Sequence, residues 1–566
     1  MAKKYAKNSI KKEALPSFWR VLEKGVGYIY LVLMLGLFPL VYGSKNYINI
    51  METKWTFFMV TTIMAAGAIL ILVIANLIFD RISFDFIKNI EDIKKRFCLT
   101  DIFVLVLGIV VFVSMICSEN IQGAWDGSMG KMAGAFMYLI LIIAYFIISR
   151  YAKLSGSLLY IYLAANTFVF VLAVLNHFMV DPLNIYENLA VSNYWMFSTT
   201  MGNINVLSGY FSVFVPVTMV LYLFSTEKVS QLIYGICMVI SFMGVIAANS
   251  DAGILGVGAA MIFLLWFSFK DYNRLSKYAL MVFLFFIGAA IIGFFDGMHT
   301  GVVGDMYDAY VNQTGDMPAV STLISQHTGI VVKDALETLP SFIANSIFNR
   351  IMIAVSILCY AVFKYLYSKQ AADRLLKVIR NIIFSILALG FIGAIGAIIY
   401  FTGKGINVGV WDTYLRFSDD WGSSRGFTWT RVINVYTQHF TVFQQLFGCG
   451  PDLLIGPLHT YYDAEIFERM GAYLVDAHNE TLQTLATLGV FGVISYHGFQ
   501  LSTIVKCVKN WTKEPFLLAV AAGGVAYIVQ GMMGSPQTFS TPVMFIMLAL
   551  GQSILREKKD EETKTE

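Results

Sequence analysis

The chain has 566 residues, of which 57% are hydrophobic, 15% aromatic and only 14% charged, with a net charge of +3. A mean hydropathy of +0.67 excludes a soluble globular domain, and so small a net charge excludes nucleic acid as a partner. Repeated long apolar runs dictate an all-α polytopic integral membrane protein instead.

Residues 1–24 form a basic N-terminal segment carrying Lys3, Lys4, Lys7, Lys11 and Lys12. The first apolar run begins too late for a signal peptide and lacks a small-residue cleavage site, so the protein is expected to be inserted and not secreted. Fourteen spans follow, at 25–43, 56–79, 101–117, 132–149, 155–178, 202–225, 231–248, 252–269, 279–295, 347–363, 381–402, 485–505, 516–533 and 541–555. With the N-terminus cytoplasmic, thirty of the forty lysines and arginines fall on cytoplasmic segments, which predicts that both termini are cytoplasmic. The transmembrane body then covers 25–402 and 485–555, with outer insertions at 296–346 and 403–484. The charged end, 556–566, reads as a solvated cytoplasmic tail. Six cysteines show neither disulfide nor metal-ligand spacing.

Polar residues that a bilayer cannot cheaply bury are the first candidates for chemistry. Thr199-Thr200-Met201-Gly202-Asn203-Ile204-Asn205 enters the sixth span from outside. Asn203 and Asn205 suit either sugar or phosphate binding or helix capping. The hairpin Ala248-Asn249-Ser250-Asp251-Ala252-Gly253 joins the seventh and eighth spans on the same side. The longest polar interval, Gly403 to Glu480, ends in Val475-Asp476-Ala477-His478-Asn479-Glu480-Thr481-Leu482-Gln483 and runs straight into a span. Asp476 suits an N-cap, which would put His478 in the first helical turn. The positive end of a helix disfavours imidazolium, so a neutral His478 could take a proton from a hydroxyl; the alternative is an ordinary cap or interface residue. If the Ser424–Trp429 piece is helical, Arg425 and Trp429 share a face and set a phosphate clamp beside a sugar-stacking ring. Lys131, Arg350, Arg416 and Arg431 are further outer cations, or else interface and ion-pair residues. No Walker loop, dinucleotide-binding turn or Asp-x-Asp metal pair is present, so neither a cofactor nor a metal is called for.

Three motifs share the second outer insertion. They are Arg425 four residues before Trp429, the Phe447-Gly448-Cys449-Gly450-Pro451 turn, and Ala477-His478-Asn479-x-x-Leu482-Gln483 before Leu488-Gly489-x-x-Gly492. In that order they resemble the O-antigen ligase and Wzy-type polymerase family of bacterial membrane glycosyltransferases. The resemblance implies a GT-C-like bundle in the bacterial cytoplasmic membrane. It also implies transfer of a polyprenyl-diphosphate-linked glycan to a glycan acceptor at the outer face, metal-independent and inverting. On that reading His478 is the general base, Asp476 or Glu480 orients it, and Arg425 clamps the diphosphate with help from Lys131 or Arg431. Asn203, Asn205, Asp251, Trp429 and Asn479 would contact substrate. Lys131 falls where family members often place the arginine of Gly-Ser-x-x-Arg. The chain departs from the pattern at Asp251, where the family usually carries a phosphate-holding arginine. A carboxylate there suits an acceptor hydroxyl or an arginine of the large loop. Ligase and polymerase share these motifs; the departure and the fourteen spans lean toward polymerase or a divergent surface-glycan transferase. The reading from a different class is a polytopic transporter or lipid-linked glycan flippase, and a third is a non-catalytic membrane scaffold.

Overall fold

The computed structural model describes residues 18–79, 97–298 and 338–565. Expectations for the basic N-terminus, for the 80–100 segment and for most of the 296–346 insertion lie largely outside the described residues. The helices are α1 Phe18–Val32, α2 Ile50–Phe79, α3 Leu99–Ile116, α4 Ile121–Asp126, α5 Ala135–Tyr151, α6 Gly156–His177 and α7 Ile204–Phe224. Next come α8 Lys228–Ala247, α9 Asp251–Ser268, α10 Tyr272–Met298, α11 Leu339–Asn345, α12 Ile347–Ser368 and α13 Asp373–Lys404. Four helices of the large loop follow: α14 Asp412–Leu415, α15 Trp421–Asn434, α16 Val442–Phe447 and α17 Ile455–Met470. The chain closes with α18 Glu480–Asn510, α19 Phe516–Gly531 and α20 Thr541–Thr565.

Helix is present at each of the fourteen stretches read as spans. Among the described residues eleven helices are long and apolar enough to cross a membrane, while α5 and α19 are shorter apolar helices. The chain is therefore an all-α, multi-pass membrane protein. The C-terminal end differs from expectation. It continues α20 to Thr565 and is pinned by ion pairs Arg556–Asp101 (2.7 Å) and Lys513–Glu562 (2.6 Å). Those partners sit on α3 and on the α18–α19 connection, so the charge run is a docked helix and not a free tail.

The bundle is centred on α7 and α19. Nearly every residue of α7 is buried, and α19 supplies Ala519, Ala521, Ala522, Gly523 and Gly524, small enough for neighbouring backbones to approach. In contrast, α13 exposes Ile382, Ile386, Leu389, Phe391 and Ile392. Apolar surface on that scale is stable only with lipid as its solvent. The buried charges stay in end turns or just outside them. Lys54 donates to the carbonyls of Phe38 (2.9 Å) and Pro39 (3.4 Å) at the frayed end of the first span, and Asp101 accepts from Tyr145 (2.7 Å) and Arg556.

One break in a span positions the large loop. Gly489 interrupts α18 with φ +69°. The carbonyls near the break accept from the loop: Cys449 N–H bonds Ala486 O (3.0 Å) and Gly450 N–H bonds Thr487 O (3.2 Å). Ser114 of α3 takes the second lone pair of Thr487 O at 2.8 Å. A Cβ on Gly448 would enter the Thr487 backbone, and one on Gly489 would enter the Leu446 backbone. The Phe-Gly-x-Gly-Pro turn and the Leu-Gly-x-x-Gly run are thus two halves of one backbone joint. Gly489→Ala should cost at least about 1–3 kcal/mol from the positive φ alone. The expected outcome is a lower unfolding temperature of the detergent-solubilised protein than for the nearby exposed substitution Phe491→Ala; equal melting would contradict the joint.

Candidate functional site

The loop helices form a small unit of their own. Phe427, Val432, Val435, Leu454, Leu458, Ile466, Leu474 and Ala477 pack into one apolar cluster that includes Ala486 of α18. Burying that cluster fixes α15 over the end of the bundle. Spacing of four along α15 places Arg425 and Trp429 on one face, as expected. Arg431, six residues on, lies on another face. It pairs with Asp419 (2.7 Å) and Glu465 (2.9 Å) and stacks on Phe427 at 4.0 Å, so it holds the loop together and does not join Arg425.

Asp476 gathers the site. Its carboxylate accepts from Lys131 Nζ (2.5 Å), Ser535 Oγ (3.0 Å) and the His478 backbone N–H (2.9 Å), and its Oδ1 lies 3.1 Å from His478 Nδ1. Those partners come from the α4–α5 link, the α19–α20 link and the loop itself. Burial alone would push the Asp476 carboxyl up. The adjacent positive charge and the donated hydrogen bonds outweigh it and hold the group well below the ordinary carboxylate range.

The helix start differs from the sequence reading. Asn479, not Asp476, is the N-cap of α18, its Oδ1 accepting from Leu482 N–H at 3.0 Å. Asn479 is buried in that role. His478 therefore precedes the helix, at φ +45°, in a turn closed by Asp476. Its pKa is lowered for a different reason than a place in the first turn. Burial lowers its pKa first, and the Arg425 and Lys131 charges add to that against the opposing pull of Asp476. Yet 48% of its side-chain surface is open. The ring nitrogen nearest the Asp476 carboxylate is Nδ1, while Nε2 has no hydrogen-bond partner among the described residues. Glu480 is the other correction: its carboxylate accepts from Tyr496 (2.9 Å) and Tyr527 (3.0 Å) inside the bundle, so Asp476 is the carboxylate beside the imidazole.

Arg425 donates to Gly422 O (2.8 Å) and Met533 O (3.4 Å). It lies within electrostatic range of Asp251, Asp476 and His478. Burial lowers its pKa, but a guanidinium stays charged. Its Nε and the indole Nε1 of Trp429 are both buried without an acceptor among the described residues. Trp429 packs on Trp421, with ring centroids 5.1 Å apart. Asp251 accepts from Leu339 N–H (2.7 Å) and Tyr414 OH (3.2 Å), so the hairpin carboxylate ties α11 and the loop to the bundle beside Arg425.

Lys131 reaches the site but is bound to Asp476, which makes it a holder of the orienting carboxylate more than a free phosphate ligand. Asn203 caps α7, accepting from Asn205 N–H at 2.9 Å. The Asn205 side chain is exposed, and its backbone carbonyl accepts from Gln530 Nε2 (3.4 Å) at the end of α19. Three residues at the site carried no sequence argument, Asp452, Ser535 and Tyr414, while Ser128 belongs to the Gly-Ser-x-x-Lys131 run. Asp452 accepts from Ser128 N–H (2.9 Å), and burial pushes its pKa up to about 6 although Lys131 opposes this. Its position directly after the Gly-x-Gly-Pro turn was the available signal. Ser535 sits in a short link between spans with nothing to mark it.

The chain matches no protein-family model, and no curated protein sequence matches it.

The charges around His478 predict the direction of its titration. Histidine-selective carbethoxylation against pH should give a midpoint below about 6.5 for His478. Arg425→Met removes a charge that disfavours imidazolium, so that midpoint should rise. Asp476→Asn removes the charge that favours it, so the midpoint should fall. A shift in the same direction for both variants would contradict this electrostatic arrangement.

Proposed function

We propose that the protein is a membrane glycosyltransferase that moves a polyprenyl-diphosphate-linked glycan onto a hydroxyl of an acceptor glycan, at the outer face of the bacterial cytoplasmic membrane. The carrying observation is the meeting of an open, neutral, carboxylate-oriented imidazole with a buried guanidinium at one end of a lipid-embedded bundle. The acceptor hydroxyl is weakly acidic, so a base at Nε2 helps it attack. As the new bond from that oxygen to the anomeric carbon forms, its proton passes to His478 Nε2. The bond from the anomeric carbon to the phosphate oxygen breaks, and its electron pair leaves with the polyprenyl diphosphate. Attack from the face opposite the leaving group inverts the configuration.

Arg425 suits the leaving group because a guanidinium offers planar, paired donors to phosphate oxygens. Its Nε and the Trp429 N–H are buried donors awaiting acceptors, which phosphate or sugar oxygens would supply. Asp476 keeps the imidazole tautomer, and Lys131 keeps Asp476. The exposed Asn205 side chain is the polar group left to meet the acceptor. A transporter reading is disfavoured by the break at Gly489, since the carbonyls there are bonded by loop amides and do not face a cavity.

His478→Ala, purified in detergent, is expected to lose transfer by about 10²–10⁴-fold while still binding polyprenyl-diphosphate donor. Retained turnover would remove His478 from the mechanism. Arg425→Lys keeps the charge but not the fork, so donor affinity should fall. Arg431→Ala should instead lower thermal stability and leave donor affinity unchanged, which separates the two arginines.

A further inference from the structure

At the other end of the bundle a groove of about 550 Å³ opens between α7, α8 and α10. That is within the roughly 300–1,000 Å³ of built ligand sites. Tyr222, Lys228, Gln231, Gly235, Ile236 and Leu284 define it. Its polar lining is confined to Lys228 and Gln231 in the first turn of α8, with the Tyr222 ring across from them. From Leu232 to Ile240 the α8 wall is apolar. At ~1.5 Å per residue, Lys228 to Ile240 spans about 18 Å, near the ~15 Å depth of one leaflet's hydrocarbon. Gly235 faces the Tyr222 ring across the groove, where a Cβ would already make van der Waals contact at 3.4 Å and a larger side chain would fill the space.

The polar rim is basic. Lys228 is exposed; Lys277 of α10 donates to Ser225 O at 2.9 Å; and the Arg274 guanidinium lies 4.5 Å over Phe224. Lys364 of α12 is within electrostatic range of Lys277. Of the carboxylates nearby, Asp271 pairs with Arg274 (3.7 Å) and Glu227 accepts from Ser230 Oγ (2.6 Å), so Lys228, Lys277 and Lys364 leave the rim net positive against Glu227. We infer that this groove holds one anionic diacyl phospholipid, its headgroup at Lys228 and one acyl chain along Gly235 and Leu284. A polyprenyl chain is longer than a leaflet and would leave most of its length outside.

Native mass spectrometry of the full-length protein tests this, with dioleoyl phosphatidylglycerol and dioleoyl phosphatidylcholine as probes and undecaprenyl phosphate as competitor. Phosphatidylglycerol should be retained over phosphatidylcholine by about fivefold, the effect of one basic side chain on an anionic lipid. Lys228→Gln, an exposed change that leaves the fold intact, should reduce that preference. Gly235→Leu should lower retention of both lipids. Equal retention of the two phospholipids by the wild type, an unchanged preference in Lys228→Gln, or displacement of phosphatidylglycerol by undecaprenyl phosphate would each overturn the inference. Because the groove lies at the opposite end from His478, its failure would leave the transferase reading untouched.

Discussion

A carboxylate enclosed between a folded loop and a helical bundle carries a desolvation cost that both partners must offset, and at Asp476 both do. Lys131 and Ser535 reach it from links between spans, while His478 meets it from the loop through ring and amide. Removing any one donor leaves a buried charge less compensated, and an uncompensated buried charge is among the largest penalties a fold can carry. The loop is therefore held over the bundle by the same group that lies beside the imidazole.

That arrangement needs a rigid platform, which the joint at Gly489 supplies. A span that ran unbroken would satisfy its own carbonyls and offer nothing to the loop. Breaking it exposes acceptors at Ala486 and Thr487, and the loop amides of Cys449 and Gly450 fill them. Inside a membrane protein such a break persists only where other backbone supplies the missing bonds. The apolar cluster that joins Phe427 and Leu474 to Ala486 covers the joint and leaves α15 fixed, with Arg425 directed toward Asp251, Asp476 and His478.

The charge pattern of the site is balanced. Two cations, Arg425 and Lys131, stand among three carboxylates, Asp251, Asp452 and Asp476. Lys131 is committed to Asp476, and Asp452 is pushed toward its neutral form by burial. Asp251, which stands where a phosphate-binding arginine would be expected from the resemblance, is turned to the Leu339 amide and the Tyr414 hydroxyl.

Local sequence determined the helices, because a run of apolar side chains long enough to cross a bilayer leaves the backbone no partner but itself. It also determined that Arg425 and Trp429 share a face, since helical spacing alone decides that. The polar interval from Gly403 to Glu480 was legible as a loop with a candidate base near its end. Tertiary structure decided the rest. Asp476 and Asn479 are both good caps, and their neighbourhood chose Asn479 by giving Asp476 a lysine 345 residues away in sequence. Glu480 and Asp476 are equivalent on paper, but only Asp476 faces the imidazole, because Tyr496 and Tyr527 draw Glu480 into the bundle. Arg431 was lost to Asp419 and Glu465, and Asp452 and Ser535 were gained, for one reason: which charge meets which across distant segments depends on how helices stack, and no local pattern encodes that.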